Sequence, residues 1–227
     1  MNFTSGSLAS SGTASVSVRV VTRSSGTLRF VAGVPGQGGG VRTPSFDPSP
    51  YGARAAITVV ARSGDPLSPG TQRFSFGADV NLDTSSTASK TSGSTDNGDN
   101  DMQRGIYASG TSQYKIQVDG DVPSCRIRGA SGTVMVRAAT SLTRGVWYHL
   151  SCTRASSTVT LYVTRWNSDG TAQQTRSFTA QGATGSVRAS SAQVPLSVGA
   201  SVRNDGSLKT SCDQFNGRID TVAVAIG

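Results

Sequence analysis

The fold is decided by a C-terminal stretch that begins with RGVWYHLSCTR at Arg144–Arg154. The stretch continues with STVTLYVTRW (Ser157–Trp166) and VPLSVGAS (Val194–Ser201), and it ends with DQFNGRIDTVAVAIG (Asp213–Gly227). Each segment alternates apolar and polar residues, which is the period of a β-strand with one buried face. Gly, Ser, Asn and Asp separate the segments, so we expect turns rather than helices between them.

The same alternation continues towards the N-terminus. It predicts strands over Ala14–Arg23, Thr27–Val34, Ala53–Arg62, Arg73–Asp83 and Gln113–Gly120. The tract Thr84–Asp101 has no apolar run and is predicted to be a long loop. We therefore expect a single all-β domain over residues 1–227, an antiparallel two-sheet sandwich with residues 1–13 as a polar N-terminal arm.

The order of the C-terminal motifs resembles the last strands of laminin-G-like domains. The matching motifs are WYHL (Trp147–Leu150), LYV (Leu161–Val163), PLSVG (Pro195–Gly199) and DQFNGRIDTV (Asp213–Val222). Laminin-G-like domains are part of the concanavalin A-like lectin/glucanase group, so the resemblance implies a two-sheet antiparallel jelly roll. That fold carries lectins, glycosidases, lyases and adhesion modules alike, so function has to be argued from the residues.

The chain is basic, with a formal net charge of +8. This charge favours an acidic polysaccharide or another polyanion as a partner. The 18 arginines are spread over almost every predicted strand, which disfavours nucleic acid as the partner. No apolar run approaches the roughly 18–20 residues of a membrane span, so we expect a soluble protein without membrane insertion.

All 13 acidic residues are Asp, and the chain has no Glu. The resemblance implies that a glucanase of this group would use paired glutamates, which are therefore missing. A polysaccharide lyase would use a His or Tyr base beside Arg and Gln. The only histidine, His149, lies in WYHL, where laminin-G-like sequences commonly have an ordinary strand histidine. We therefore expect no enzymatic activity, and a lyase acting through Gln103, Arg104 and His149 or a tyrosine is the third hypothesis.

Carbohydrate sites combine aromatic platforms with planar polar groups. Residues of these types follow the polar tract or end a strand, and they are the candidate ligand-binding residues: Gln103, Arg104, Tyr107, Tyr114 and Trp166. A buried packing role is the alternative for each of the aromatic residues.

The end of the polar tract, DNGDND (Asp96–Asp101), is rich in carboxylates and amides. Their oxygens are the ligands that Ca²⁺ prefers, and the resemblance implies a rim-loop calcium site of this kind. The candidate metal ligands are Asp96, Asp99 and Asp101, and Ca²⁺ is the only cofactor that the sequence indicates. The alternative is a solvated turn.

The chain has three cysteines, Cys125, Cys152 and Cys212. Strands of an antiparallel meander can bring Cys125 and Cys152 within bridging distance. The resemblance favours the same pair, since related secreted bacterial sequences pair a PSC motif with an SCTR motif. Cys212 is then a free thiol or an intermolecular partner. A disulfide indicates an oxidising, extracellular compartment.

The first twelve residues, MNFTSGSLASSG, do not have the pattern of a signal peptide. Either a leader is absent from this chain, or the protein leaves the cell by another route, as a virion protein released by lysis would.

The sequence supports two main hypotheses about function. The leading hypothesis is a non-catalytic extracellular recognition or adhesion module that binds a polysaccharide or cell-surface glycan and prefers anionic polymers. The alternative is a structural subunit of a virion, such as a phage tail or capsid-decoration protein, or of another extracellular assembly. In that alternative, residues 1–13 would add a strand to a neighbouring subunit.

Overall fold

The computed structural model describes the chain apart from Asn2, Thr4, Ser5, Pro48, Pro50, residues 85–98, Ser109, Ser211 and Cys212. Its described residues form fourteen strands: β1 (Val16–Arg23), β2 (Arg29–Ala32), β3 (Gly39–Arg42), β4 (Arg54–Ala61), β5 (Phe74–Leu82), β6 (Asp99–Arg104), β7 (Gln113–Asp119), β8 (Val122–Gly129), β9 (Gly132–Arg137), β10 (Trp147–Ala155), β11 (Thr158–Trp166), β12 (Ala172–Gln181), β13 (Leu196–Val198) and β14 (Gly217–Ile226). Within this described part, no helix is long and apolar enough to cross a membrane.

The strands form two antiparallel sheets of seven strands each. The first sheet has the order β1-β4-β13-β6-β7-β8-β9, and the second has the order β12-β11-β10-β5-β14-β3-β2. Apolar side chains from both sheets meet in one large core that contains Phe74, Phe76, Ile116 and Leu150. The predicted two-sheet jelly-roll sandwich is confirmed.

Strand β10 shows how the alternating pattern assigns side chains to faces. Tyr148 and Leu150 belong to the core, and Cys152 lies on the same face. Trp147 and His149 lie on the opposite, outer face of the second sheet, as the alternation predicted. Outer-face positions are therefore the ones where this sandwich can present functional side chains.

The predicted disulfide between Cys125 and Cys152 is confirmed, with 6.2 Å between the two Cα atoms. The expectation that a meander would bring the cysteines together is wrong. Cys125 lies on β8 of the first sheet and Cys152 on β10 of the second, so the bridge crosses the core between the sheets. Cys212 lies outside the described residues.

The N-terminal segment differs from the predicted polar arm. Phe3 is only 1% exposed and is part of the main core, and Met1 and Leu8 pack against that core. The Met1 ammonium group also donates a hydrogen bond to the carbonyl oxygen of Val222. Because these apolar side chains are buried in their own domain, the described part of the segment is not a free arm.

The predicted loop over Thr84–Asp101 is wrong at its C-terminal end. Strand β6 begins at Asp99, and the side chains of Asp99 and Asp101 are 1% and 0% exposed. Backbone pairing of β6 with β7 and β13 sets this boundary, and a pattern of side-chain polarity cannot reveal such pairing. Residues 85–98 lie outside the described residues.

Candidate functional site

A polar groove lies on the outer face of the first sheet, across β6, β7, β8 and β9. Gln103, Lys115 and Arg126 are direct cross-strand partners, so their side chains lie side by side on this face. The groove has a volume of about 440 Å³. It is lined by Gln103, Tyr107, Gln113, Lys115, Gln117, Asp119, Arg126, Arg137, Ser201, Lys209 and Asp213.

The groove carries more positive than negative charge. Its four cationic side chains are Lys115, Arg126, Arg137 and Lys209, and its two carboxylates are those of Asp119 and Asp213. Both carboxylates already have partners in the groove. Asp213 Oδ2 lies 3.5 Å from Lys115 Nζ, and Asp119 accepts a hydrogen bond from the amide of Gln117. An acidic ligand would therefore meet an excess of unneutralised cations.

Lys115 is an unusual lysine because it is only 7% exposed. Burial lowers the pKa of its ammonium group, and the carboxylate of Asp213 opposes that shift. The Lys115 ammonium group has lost most of its hydration and forms an ion pair with Asp213, so a negatively charged ligand group in the groove would give this buried cation a second favourable contact.

Hydrogen bonds hold the polar side chains at one end of the groove. The side-chain amides of Gln103 and Gln113 both donate to the carbonyl oxygen of Gly105, over 2.7 and 3.2 Å. Gln113 in turn accepts a hydrogen bond from the guanidinium of Arg126. Such preorganised side chains lose little conformational entropy when a ligand binds.

Tyr107 forms an exposed aromatic platform at the groove, with 70% of its surface accessible. The guanidinium carbons of Arg126 and Arg128 lie 4.6 and 5.3 Å from its ring centroid. These cation–π contacts favour one position of the ring. An exposed ring beside guanidinium and amide groups is the combination used to recognise sugars.

The structure separates the predicted ligand-binding residues. Gln103 and Tyr107 lie together in the groove, whereas Arg104 and Tyr114 point into the core and are each 2% exposed. Arg104 forms an ion pair with Asp65 at 2.7 Å, and the Tyr114 hydroxyl donates to the carbonyl oxygen of Leu67. The prediction that Arg104 and Tyr114 contact a ligand is thus corrected, because alternation puts them on the opposite face of the sheet from Gln103.

Trp166 and His149 lie on the outer face of the other sheet. Asp79 Oδ1 accepts a hydrogen bond from Trp166 Nε1 at 2.9 Å and lies 3.0 Å from His149 Nδ1. Trp166 is therefore not part of the groove. The lyase hypothesis that combined Gln103, Arg104 and His149 is also corrected, since these three residues occupy the groove, the core and the opposite sheet.

Two of the three predicted metal ligands, Asp99 and Asp101, lie in β6. Asp96 lies outside the described residues, and Asp99 Oδ1 accepts a hydrogen bond from the backbone N–H of Asn216. Both carboxylate oxygens of Asp101 are buried without a hydrogen-bond partner, and burial raises the pKa of this carboxyl well above its usual range. The amide oxygens of Asn100 and Asn216 are also buried without partners.

These oxygens are the kind of donors that a Ca²⁺ ion takes. The described residues contain no group of three or more His, Cys, Asp or Glu side chains placed to hold a metal ion. The Asp101 carboxylate would therefore need amide or backbone oxygens to complete a calcium site, and the buried amide oxygens of Asn100 and Asn216 have no hydrogen-bond partner that would compete for them.

Several groove residues were missed by the sequence analysis, in particular Lys115, Gln117, Arg126 and Arg137. A signal for Lys115 and Gln117 exists in QYKIQVD (Gln113–Asp119), where every second residue is polar and carries a long amide, an ammonium or a carboxylate group. Alternation identifies the buried face of a strand, but it does not distinguish a polar face that forms a binding site from one that is only solvated.

Comparison with known proteins agrees with the architecture. A laminin-G-type family model, described as the concanavalin A-like lectin/glucanases superfamily, matches residues 55–225. No curated protein sequence matches the chain.

Solved structures show the same fold at low sequence identity. The enzymatically active domain of tailspike protein 2 from bacteriophage CBA120 aligns with a TM-score of 0.56 and 17% identity, over 95% of this chain and 29% of that one. The LG1-3 region of the laminin alpha2 chain aligns with a TM-score of 0.52 and 9% identity, over 81% of this chain and 32% of that one. This chain thus spans about a third or less of the length of either protein. With three quarters of its residues matched by the family model, the chain belongs to the concanavalin A-like lectin/glucanases superfamily.

Proposed function

We propose that this protein is a non-catalytic recognition module that binds an acidic polysaccharide in the polar groove. The observation that carries the proposal is the buried ammonium group of Lys115 in a groove with four cations and two already paired carboxylates. Tyr107 supplies an aromatic surface for a sugar ring beside those cations. Uronate or sulfate groups would pair with Lys115, Arg126 and Arg137, while the ring faces of the sugars would pack on Tyr107.

The proposal of a non-catalytic role rests on the acid and base groups of the groove. Its two carboxylates are paired with Gln117 and Lys115, and His149 lies on the other sheet. The tailspike similarity is to a domain described as enzymatically active, and at 17% identity it bears on the fold alone. Incubation with acidic polymers should therefore release no shorter chains and no unsaturated uronic product.

Binding is tested by calorimetry with an oligogalacturonate and with a neutral dextran oligosaccharide of similar length. We expect saturable binding of the acidic oligosaccharide that persists at moderate salt. The double variant Arg126→Gln/Arg137→Gln should weaken it about tenfold, since each exposed ion pair contributes up to about 1 kcal/mol. Arg19→Gln/Arg62→Gln removes the same charge from exposed positions outside the groove and should leave binding unchanged. Equal losses in the two double variants would show that only the net charge is being measured.

The place of action that we propose is outside the cell. The disulfide between Cys125 and Cys152 supports this location, because such bridges persist in oxidising compartments. A virion subunit is the second candidate, since the fold of this chain also occurs in a bacteriophage tailspike domain. Co-sedimentation of the protein with virus particles from a lysed culture would favour the virion; recovery only in the soluble secreted fraction would count against it.

We also propose that Ca²⁺ binds at the Asp101 carboxylate. Its two unpartnered oxygens and the unpartnered amide oxygens of Asn100 and Asn216 support the proposal. A bound cation there would neutralise the buried charge and stabilise the end of β6, from which the groove residue Gln103 projects.

A further inference from the structure

Three arginines lie in a row on the outer face of the second sheet, on the opposite side of the sandwich from the groove. Arg42 of β3 is the direct cross-strand partner of Arg29 on β2 and of Arg218 on β14. Direct partners project from the same face, and neighbouring strands lie about 4.8 Å apart. Arg29, Arg42 and Arg218 are called the arginine row below.

The outward direction of the arginine row follows from the next strand. Arg218 is the direct partner of Asn81 on β5, and the neighbours of Asn81 along the strand, Val80 and Leu82, are both in the core. Asn81 and Arg218 therefore lie on the face that points away from the core. Arg42 and Arg29 follow on the same face by their register.

This arrangement is unfavourable for folding, since like charges placed directly opposite each other across strands repel. Only Arg42 has a carboxylate partner, Asp83, at 2.7 Å. Across the part of the chain that the structure describes, the side chains of Arg29 and Arg218 make no hydrogen bond and no ion pair. The three guanidinium groups on adjacent strands thus have only one carboxylate partner between them, and it pairs with Arg42.

A cavity of about 460 Å³ lies beside the arginine row. Arg29 and Arg42 line it together with four hydroxyl side chains, those of Ser25, Thr27, Thr43 and Ser45. Its only acidic residue is Asp47, whose carboxylate already accepts a hydrogen bond from the backbone N–H of Ser49 at 2.8 Å. The lining is therefore rich in hydrogen-bond donors that suit an oxyanion.

We infer that the arginine row and its cavity form a second anion-binding site, which takes carboxylate or sulfate groups of an extended acidic polysaccharide. Three guanidinium groups at steps of about 4.8 Å extend over about 10 Å, which matches a polymer better than a single small ion. The cavity has one aromatic ring, that of Phe46, so it offers little of the successive stacking by which proteins hold single-stranded nucleic acid. With the groove on one sheet and the row on the other, the protein can cross-link two acidic chains.

Matched double variants distinguish the contributions of the groove and of the arginine row to binding. Arg29→Gln/Arg218→Gln removes the two unpaired cations of the row, Arg126→Gln/Arg137→Gln alters the groove, and Arg19→Gln/Arg62→Gln is the control of equal charge loss. Arg42 is kept because its ion pair with Asp83 contributes to the fold. Calorimetry with sucrose octasulfate and with an oligogalacturonate, at two salt concentrations, gives the affinity and the number of sites; thermal unfolding verifies that each variant is folded.

We expect two sites per chain in the wild type. In Arg29→Gln/Arg218→Gln, the affinity of the arginine row should fall about tenfold, so that only the groove is saturated over the same range of ligand concentration. The control should retain both. Loss of all binding in the groove variant, with no change in the row variant, would overturn the inference and leave the proposed function intact. Loss in the row variant alone would support the row and overturn the groove. Tighter binding of a single-stranded DNA oligonucleotide than of either acidic sugar at the row would also overturn the inference, in favour of a nucleic-acid site.

Discussion

The sulfur atoms of Cys125 and Cys152 join the two sheets of the sandwich through the middle of its core. Cys125 is on β8 and Cys152 on β10, and both are completely buried. The bridge therefore holds together two layers that otherwise interact mainly through apolar contacts. It closes a loop between residues that are 27 positions apart in the sequence.

Breaking this bridge should lower the free energy of unfolding by about 3–4 kcal/mol, through the added conformational entropy of the unfolded chain. Guanidinium unfolding with and without a thiol reductant measures the difference. Cys125→Ala/Cys152→Ala should already show the lower stability and should not respond to the reductant. Equal stability of oxidised and reduced wild-type protein would contradict the prediction.

Arg154 should contribute strongly to stability although it lies in a strand of the core. Its guanidinium is 4.8 Å from the ring centroid of Phe74, and it donates to the carbonyl oxygens of Gly70, Gln72 and Gly185. Arg154→Ala removes three hydrogen bonds from a buried, charged donor together with its contact with the Phe74 ring, so we expect a loss of about 3–5 kcal/mol. Arg154→Lys keeps the charge but cannot reach carbonyl groups on two sides, and should also be destabilised. Arg62→Ala is the exposed control, for which chemical denaturation should show a change within about 0.5 kcal/mol.

Calcium should stabilise the wild-type protein through Asp101. In chelator, the Asp101 carboxyl is buried without a hydrogen-bond partner and its ionised form is disfavoured, so Asp101→Asn, which cannot ionise, should raise the free energy of unfolding by at least about 1 kcal/mol at pH 7. Because the folded-state pKa of Asp101 is raised, the stability of the wild type in chelator should fall as pH rises from about 4. Added Ca²⁺ should raise the melting temperature of the wild type and not of Asp101→Asn. Identical responses of the two proteins to Ca²⁺ would sink the calcium proposal.

As pH rises, the groove should lose its affinity for an acidic oligosaccharide at a lower pH than a site that contains an ordinary, exposed lysine. The protonated form of Lys115 binds the anion, and burial lowers the pKa at which it loses its proton. The affinity is therefore full below that lowered pKa and is lost as pH rises through it. Calorimetric titrations across the alkaline range measure the dependence.

Two variants distinguish the contribution of Lys115 to this pH dependence from that of the other groove residues. In Lys115→Gln the alkaline loss should disappear, at the expense of weaker binding throughout. In Lys209→Gln, which removes another lysine of the groove, the pH dependence of the wild type should persist. A Lys115→Gln variant that keeps the wild-type pH profile would rule out this role.

The strands could be predicted where alternating apolar residues give the strand one apolar face. Arg73–Asp83 became β5 with Phe74, Phe76 and Val80 in the core. Strand β12 (AQQTRSFTAQ) could not be predicted from alternation, because seven of its ten residues are polar and only Phe178 and Ala180 pack against the core. It is an edge strand paired only with β11, so backbone hydrogen bonds define most of its length.

The candidate site could be predicted only in part. Gln103 and Arg104 are adjacent polar residues of suitable type, yet one lies in the groove and the other in the core. Arg104 is buried because Asp65, Ser68 and the carbonyl oxygen of Val194 satisfy its guanidinium, and these partners come from distant parts of the chain. No local pattern contains that information.

Composition and apolar periodicity are enough to predict the class of fold, the faces of its clearest strands and a basic surface without glutamate. These properties depend on the two-residue period of a strand and on composition, both of which are local. The arrangement of the strands in space is what brings Gln103, Lys115 and Arg126 into one groove, places three arginines in one row, and joins Cys125 to Cys152 across the core. Each of these depends on which strands become neighbours and in which register, and strand order is set by packing of the whole chain.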